Sequence, residues 1–167
     1  MERNIILKKE DIQLKIVRMA YQILEDNDGE SEIFLLGIKD NGFIIASKIK
    51  LEIEKISSQI KANLIQVSIN KSNPLAQDIT YSVPASILKN KVVVLTDDVG
   101  NTGKTLFYAL QPLLHETPKK IQIALLLDRK HKLFPIHADF VGLSLATTIQ
   151  EHIEVILNEE EESAYLE

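Results

Sequence analysis

Two adjacent carboxylates, Asp97 and Asp98, run into a glycine- and hydroxyl-rich stretch, Val99-Gly100-Asn101-Thr102-Gly103-Lys104-Thr105. The glycines let backbone approach a ligand closely, and Thr102 and Thr105 can donate hydroxyls to phosphate oxygens. The aspartates would repel a bare phosphate. They suit a neutral polyol, whose adjacent hydroxyls each donate to a carboxylate, and they also suit a divalent cation. The ligand implied is a sugar phosphate, with hydroxyls on Asp97 and Asp98 and phosphate on the turn.

Such a site needs a strand before it and a helix after it. Val92, Val93, Val94 and Leu95 form a β-branched apolar run that reads as a strand buried on both faces, and the aspartates fall where it should end. Leu106, Phe107, Leu110, Leu113 and Leu114 recur at helical spacing over Leu106–His115. The first amides of a helix lack intrahelical partners, and its dipole favours an anion there. Two common phosphate motifs are excluded. The P-loop pattern would need glycine where Asp98 stands, and G-x-G-x-x-G is absent.

Around this centre the pattern alternates. A helix is expected over Asp11–Glu25, a strand over Ile33–Ile38, a turn over 39–42, a helix over Phe43–Ile60 and a strand over Leu64–Ile69. Asn70–Ser82 has no convincing period and reads as a mobile loop with an extended arm up to Pro84. Further strands are expected at Ile121–Leu127, Ala138–Leu143, Ile153–Leu157 and Ala164–Leu166, the last pairing back across a Glu-rich turn. The fold class implied is α/β, a mainly parallel twisted sheet with helices on both faces. Polar turns at 39–42, 97–105 and 128–132 follow strands, where such sheets bind ligands.

At 167 residues the chain reads as a single domain, 1–167, with 45% hydrophobic and 26% charged residues, ordinary for a globular protein. Absence of cysteine excludes disulfides and thiolate metal sites. No signal-peptide core or membrane span is evident, which fits a cytoplasmic protein. A net charge of −5 argues against a broad nucleic-acid surface.

Thr96–Thr105 resembles the ribose-5-phosphate loop of type I phosphoribosyltransferases, four apolar residues and two acidic ones leading to T-G-x-T. More specifically, Gly37-Ile38-Lys39-Asp40-Asn41-Gly42 and the stretch Ile121–Gly142, with Asp128-Arg129-Lys130-His131 and Pro135-Ile136-His137-Ala138-Asp139, resemble the bifunctional pyrimidine operon attenuator/uracil phosphoribosyltransferases. The resemblance implies transfer of phosphoribose from phosphoribosyl pyrophosphate to a nucleobase, with Mg²⁺ as cofactor. It implies that Asp97 and Asp98 hold the ribose 2′ and 3′ hydroxyls and meet the metal indirectly, through those hydroxyls or water. Asn101–Thr105 would hold the 5′-phosphate, and Lys39, Asp40 and Asn41 would lie at the pyrophosphate. The segment after Val141 would form part of a hood over the base. Partners implied are phosphoribosyl pyrophosphate, a nucleobase, a nucleoside monophosphate and a second copy of the chain. These relatives also bind messenger RNA through a basic dimer face, which the acidic balance here does not support.

Two loops depart from the family pattern. Asp40 and Asn41 stand where a basic or small polar residue is usual, and a carboxylate beside a polyanion is unfavourable without an intervening cation. The catalytic loop's Tyr-Arg pair aligns with Asn70-Lys71-Ser72-Asn73, so Lys71 becomes the catalytic cation, without arginine's bidentate fork. Asp128-Arg129 suits either a local ion pair or a base- or phosphate-facing role. Binding therefore looks better preserved than turnover, and a catalytically weak regulator that binds the same ligands is the alternative.

Overall fold

The computed structural model describes residues 3–146 and 151–167. Its main sheet holds β2 (Glu32–Ile38), β3 (Lys61–Ser68), β4 (Thr80–Tyr81), β5 (Val92–Gly100), β6 (Lys120–Arg129) and β7 (Phe140–Leu145). Their spatial order is β4-β3-β2-β5-β6-β7, and every pairing is parallel except β3 with β4. A smaller antiparallel sheet orders β1 (Asn4–Leu7), β9 (Glu162–Leu166) and β8 (Ile153–Leu157).

The apolar runs at the centre explain this arrangement. In β2 and β5 successive side chains point to opposite faces, so a continuous run feeds two cores. Ile33, Leu35, Val92 and Val94 pack with α1 (Lys9–Asp26) and α2 (Asn41–Ile56) on one face. Phe34, Leu36, Val93 and Leu95 pack with Leu106, Ala109 and Leu113 on the other. Helix α1 buries Ile12, Ile16, Met19, Ala20 and Ile23, a stripe at helical spacing, and its start is secured by Lys8 N donating to Asp11 Oδ2 at 3.0 Å.

Several boundaries differ from the sequence expectation. Helix α2 stops at Ile56 rather than Ile60, because Ser57 is extended and the chain turns at once into β3, which begins at Lys61 rather than Leu64. The helix expected over Leu106–His115 is split. α3 (Lys104–Ala109) gives way to a 3₁₀ segment, Gln111–His115, where Pro112 has no N–H to continue the α-helical ladder. Strand β5 does not end before the aspartates. It runs through them to Gly100, since β6 continues to pair alongside at Asp97↔Leu125 and Gly100↔Asp128. β1 was not anticipated.

The small sheet is the hood that the resemblance implies, although 147–150, within that segment, fall outside the described residues. It is fastened to α2 by Lys48 Nζ, which donates to Glu162 Oε1 at 2.9 Å. Arg3 packs on Tyr165, 3.9 Å from the ring centroid, and pairs with Glu167 at 3.2 Å. Among the described residues no helix is long and apolar enough to cross a membrane.

Candidate functional site

The sequence-expected site residues gather along one edge of the main sheet, at the carboxyl ends of β2, β5 and β6. Lys39 and Asp40 form the turn after β2, and Asn41 opens α2. Asp97, Asp98, Val99 and Gly100 end β5, Asn101, Thr102 and Gly103 turn the chain, and Lys104 and Thr105 start α3. Asp128 and Arg129 end β6. Lys71 arrives from the long connection between β3 and β4.

The turn after β5 encloses a pocket of about 60 Å³, lined by Asp97 and by Val99 through Leu106. That is room for a compact group such as a phosphate, not for a base. Gly103 takes φ +83, a conformation that costs a side-chain-bearing residue free energy, and from there Phe107 N donates to Gly103 O at 2.9 Å to begin α3. Gly100 has a different reason for being glycine than the one expected. A Cβ there would stand 2.2 Å from Leu125 Cδ1 and 2.9 Å from Asp128 Oδ1, so it makes room for β6 rather than for a ligand.

Asp97 is almost fully buried, at 3% exposure. Burial pushes its carboxyl up to about 7, with Asp98 pushing the same way and Lys71 opposing. Lys71 Nζ lies 2.9 Å from Asp97 Oδ1 and 3.7 Å from Asp98 Oδ1. Burial alone would lower the lysine, but Asp97, Asp98 and Asp40 outweigh it and hold the ammonium above its ordinary value. Its loop is shaped to deliver it. Asn70 Oδ1 accepts from Ser72 N at 3.0 Å and Asn73 N at 2.9 Å, a side-chain turn that encloses Lys71. Farther along, Tyr81 Oη donates to Ala109 O at 2.8 Å and anchors the far end of the loop to α3.

Asp98 is held from another side. Asn41 Nδ2 donates to Asp98 Oδ2 at 2.8 Å and to Val155 O of β8 at 2.9 Å, while Val99 N donates to Asp98 Oδ1 at 2.9 Å. Of the residues that depart from the family pattern, Asn41 and Lys71 engage the acidic pair. Among the described residues no group of three or more His, Cys, Asp or Glu could hold a metal ion. Asp97 and Asp98 offer only two carboxylates, and both face Lys71, so the pair does not fit a metal site built by the protein itself.

Sequence reading missed the segment that backs the phosphate turn. Leu133 N and Phe134 N both donate to Thr102 O, at 2.9 and 3.1 Å. Phe134 sits against Phe107 and Tyr108 of α3, with ring centroids 5.5 and 6.1 Å away. Lys132 Nζ donates to Arg129 O at 2.7 Å and Gly100 O at 3.3 Å, and pairs with Asp128. Asp128 thus makes an ion pair, and its partner is Lys132. The signal available was a lysine four residues after Asp128, which spacing alone does not separate from a solvated one. Lys132→Met is expected to destabilise the fold by about 1–3 kcal/mol, because Asp128 loses a charged partner. It should also weaken ribose 5-phosphate binding, with Lys132→Arg restoring most of both. Thermal melts and titration calorimetry check this, and an unchanged affinity in the Met variant would remove Lys132 from the support of the turn.

A roomier cavity, about 740 Å³, lies elsewhere, near the ends of α1 and α2, lined by Tyr21, Leu24, Glu25, Asp28 and Glu30 among others. It brings no Lys or Arg to an anion, so its size does not make it the ligand site.

Known proteins resemble this chain in sequence and in fold. The phosphoribosyl transferase domain matches residues 2–160. The bifunctional protein PyrR of Staphylococcus epidermidis is 39% identical over 166 residues, covering 95% of this chain and 94% of the relative. That of Macrococcus caseolyticus is 35% identical over 164 residues, with 95% and 94% covered. In fold, the chain is similar to a hypoxanthine-guanine phosphoribosyltransferase from Bacillus anthracis, with a TM-score of 0.72 at 23% identity over 87% of this chain and 85% of that one. It is also similar to the hypoxanthine phosphoribosyltransferase of Trypanosoma cruzi, with a TM-score of 0.69 at 17% identity over 85% and 81%. A domain match spanning nearly the whole chain, with relatives this similar over almost their full length, means that the chain belongs to the phosphoribosyl transferase domain family.

Proposed function

We propose that this protein joins a pyrimidine base, uracil foremost, to the ribose of phosphoribosyl pyrophosphate and releases pyrophosphate. One observation carries the reading. The acidic pair and the small pocket of the 99–105 turn lie side by side at the end of one strand, as the diol and the 5′-phosphate of a single ribose require.

In the reaction the bond from ribose C1 to pyrophosphate loosens, positive charge grows on the ring, and a base nitrogen attacks C1 from the opposite face. The electron pair of the breaking bond leaves on pyrophosphate, and the proton of the base nitrogen passes to a pyrophosphate oxygen or to water. Side chains need not act as acids or bases. The turn fixes the phosphate, and Asp97 and Asp98 fix the hydroxyls. Their negative charge lies close to where positive charge develops, which favours the transition state over the ground state. Lys39, on the turn that follows β2, is a cation available to the leaving pyrophosphate, while Lys71 is paired with the aspartates. The hood, tied to Asp98 through Asn41 and Val155, would cover the base.

A second reading, a cytoplasmic ligand-binding regulator with weak turnover, is favoured by one feature. Asn41 and Lys71 contact the acidic pair rather than lying open toward a pyrophosphate. Pyrophosphate release from phosphoribosyl pyrophosphate, screened with uracil, hypoxanthine, guanine, adenine and orotate, separates the two. Turnover with uracil is the expected result. Turnover with a purine alone corrects the base, and none with any base, alongside tight binding of uridine monophosphate, establishes the regulator.

A further inference from the structure

Resting on the phosphoribosyl reading above, we infer that Lys71 is the resident cation of the diol site, its ammonium supplying at Asp97 and Asp98 the charge that the resemblance assigns to Mg²⁺. The contact distances place Nζ against one oxygen of each carboxylate, 2.9 Å from Asp97 and 3.7 Å from Asp98. Asp40 adds its attraction from the turn after β2, so carboxylates of two segments hold one ammonium. The loop is built for this position, with the Asn70 side-chain turn on one side of Lys71 and the Tyr81 anchor at its far end.

A hydrated divalent ion fits the same place poorly. It prefers about six oxygen ligands, and the protein supplies two carboxylates, one of them 3% exposed. The oxygens of Asp98 are already engaged, by Asn41 on Oδ2 and by Val99 N on Oδ1. Ribose hydroxyls need one lone pair each rather than a full coordination shell. A carboxylate offers about four lone-pair positions, so two hydroxyls can be accepted while Lys71 stays in place. Lys71 thus changes what the site demands of its ligand. Where two bare carboxylates beside a phosphate and a pyrophosphate call for a metal to offset repulsion, this site carries its own offset.

The test is titration calorimetry of the full chain with phosphoribosyl pyrophosphate, in EDTA and again in excess Mg²⁺. Wild type, Lys71→Met and Lys71→Arg are compared. Lys71 is 42% exposed, so the variants should fold, and Lys71→Gln serves if the Met variant does not. Wild type and the Arg variant are expected to bind with affinities that differ by less than about threefold between the two buffers. The Met variant should lose about tenfold or more in EDTA, the worth of a charge-assisted hydrogen bond, and recover most of it in Mg²⁺. Equal metal dependence in wild type and Met variant overturns the inference. So does tighter binding by the Met variant in EDTA, which would make Lys71 a plug that ligand must displace. Ribose 5-phosphate, titrated in parallel, separates the levels of failure. If it binds while phosphoribosyl pyrophosphate binds only with metal, the site assignment stands and the role of Lys71 falls. If neither ligand binds in either buffer, the phosphoribosyl reading falls and this inference with it.

Discussion

Replacing Asp97 and Asp98 together by asparagine should weaken ribose 5-phosphate binding about a hundredfold or more and, at pH 8, raise the melting temperature. The first effect follows because two charge-assisted hydrogen bonds are lost, each worth about 1.5–3 kcal/mol. The second follows from the burial of Asp97. Its carboxyl stands near 7 in the fold against an ordinary 3.8. Below about pH 4 it is protonated in folded and unfolded chains alike and imposes no cost. As pH rises toward 7 the unfolded chain ionises it while the fold keeps it protonated, so wild-type stability falls. Above 7 the full cost of holding the buried charge is present. Asparagine keeps the shape and removes that cost, so the gain should be largest at pH 8 and shrink toward pH 4. Titration calorimetry and melts across that range read both effects. An unchanged affinity would remove the pair from the ligand site. A melting temperature that drops at pH 8 would mean that Lys71 more than compensates Asp97.

Gly42→Ala should damage fold and site together. A Cβ at Gly42 would stand 2.8 Å from Thr96 O, 2.9 Å from Asp97 Oδ1 and 3.1 Å from Asp97 Cα. Two of these are backbone atoms of the central strand, which cannot rotate away, so either α2 lifts or β5 shifts. Overpacking of this kind costs about 1–3 kcal/mol. The shift falls on Asp97 itself, so ribose 5-phosphate affinity should drop at least tenfold, more than the stability loss alone would bring about. Chemical denaturation and calorimetry, run on the same preparation, separate the two. Wild-type affinity in a destabilised variant would show that Asp97 tolerates displacement.

The central strand shows what was readable in advance and what was not. Val92 through Leu95 announce a buried strand because apolar burial on both faces leaves an unbroken run. Its continuation through Asp97 and Asp98 does not show, because pairing with β6 is decided by neighbours far along the chain. The same holds for β1, four residues whose partner strand, β9, lies at the opposite end of the sequence, Asn4 pairing with Leu166. At the candidate site, residue types and spacing sufficed to bring Asp97, Asp98 and the turn together, because they sit in one local stretch. They were silent on Asn41 reaching Val155 and on Lys132 reaching Gly100, contacts made only once the hood and the 130–137 segment have folded back. Pro112 was the exception, a visible break passed over because Leu113 and Leu114 kept the apolar spacing.

Asn41 has a thermodynamic implication. Its amide nitrogen donates to Asp98 of β5 and to Val155 of β8, which on the proposed function are the sugar side and the base side. A sugar that pulls on Asp98 must redistribute that amide's hydrogen bonds, and so must a base that moves β8. Occupancy of either half therefore alters the free energy of filling the other, and by reciprocity the factor is the same in both directions. On the proposed function, such a link would make the protein discriminate among nucleotides as wholes, with a selectivity that neither fragment reveals alone.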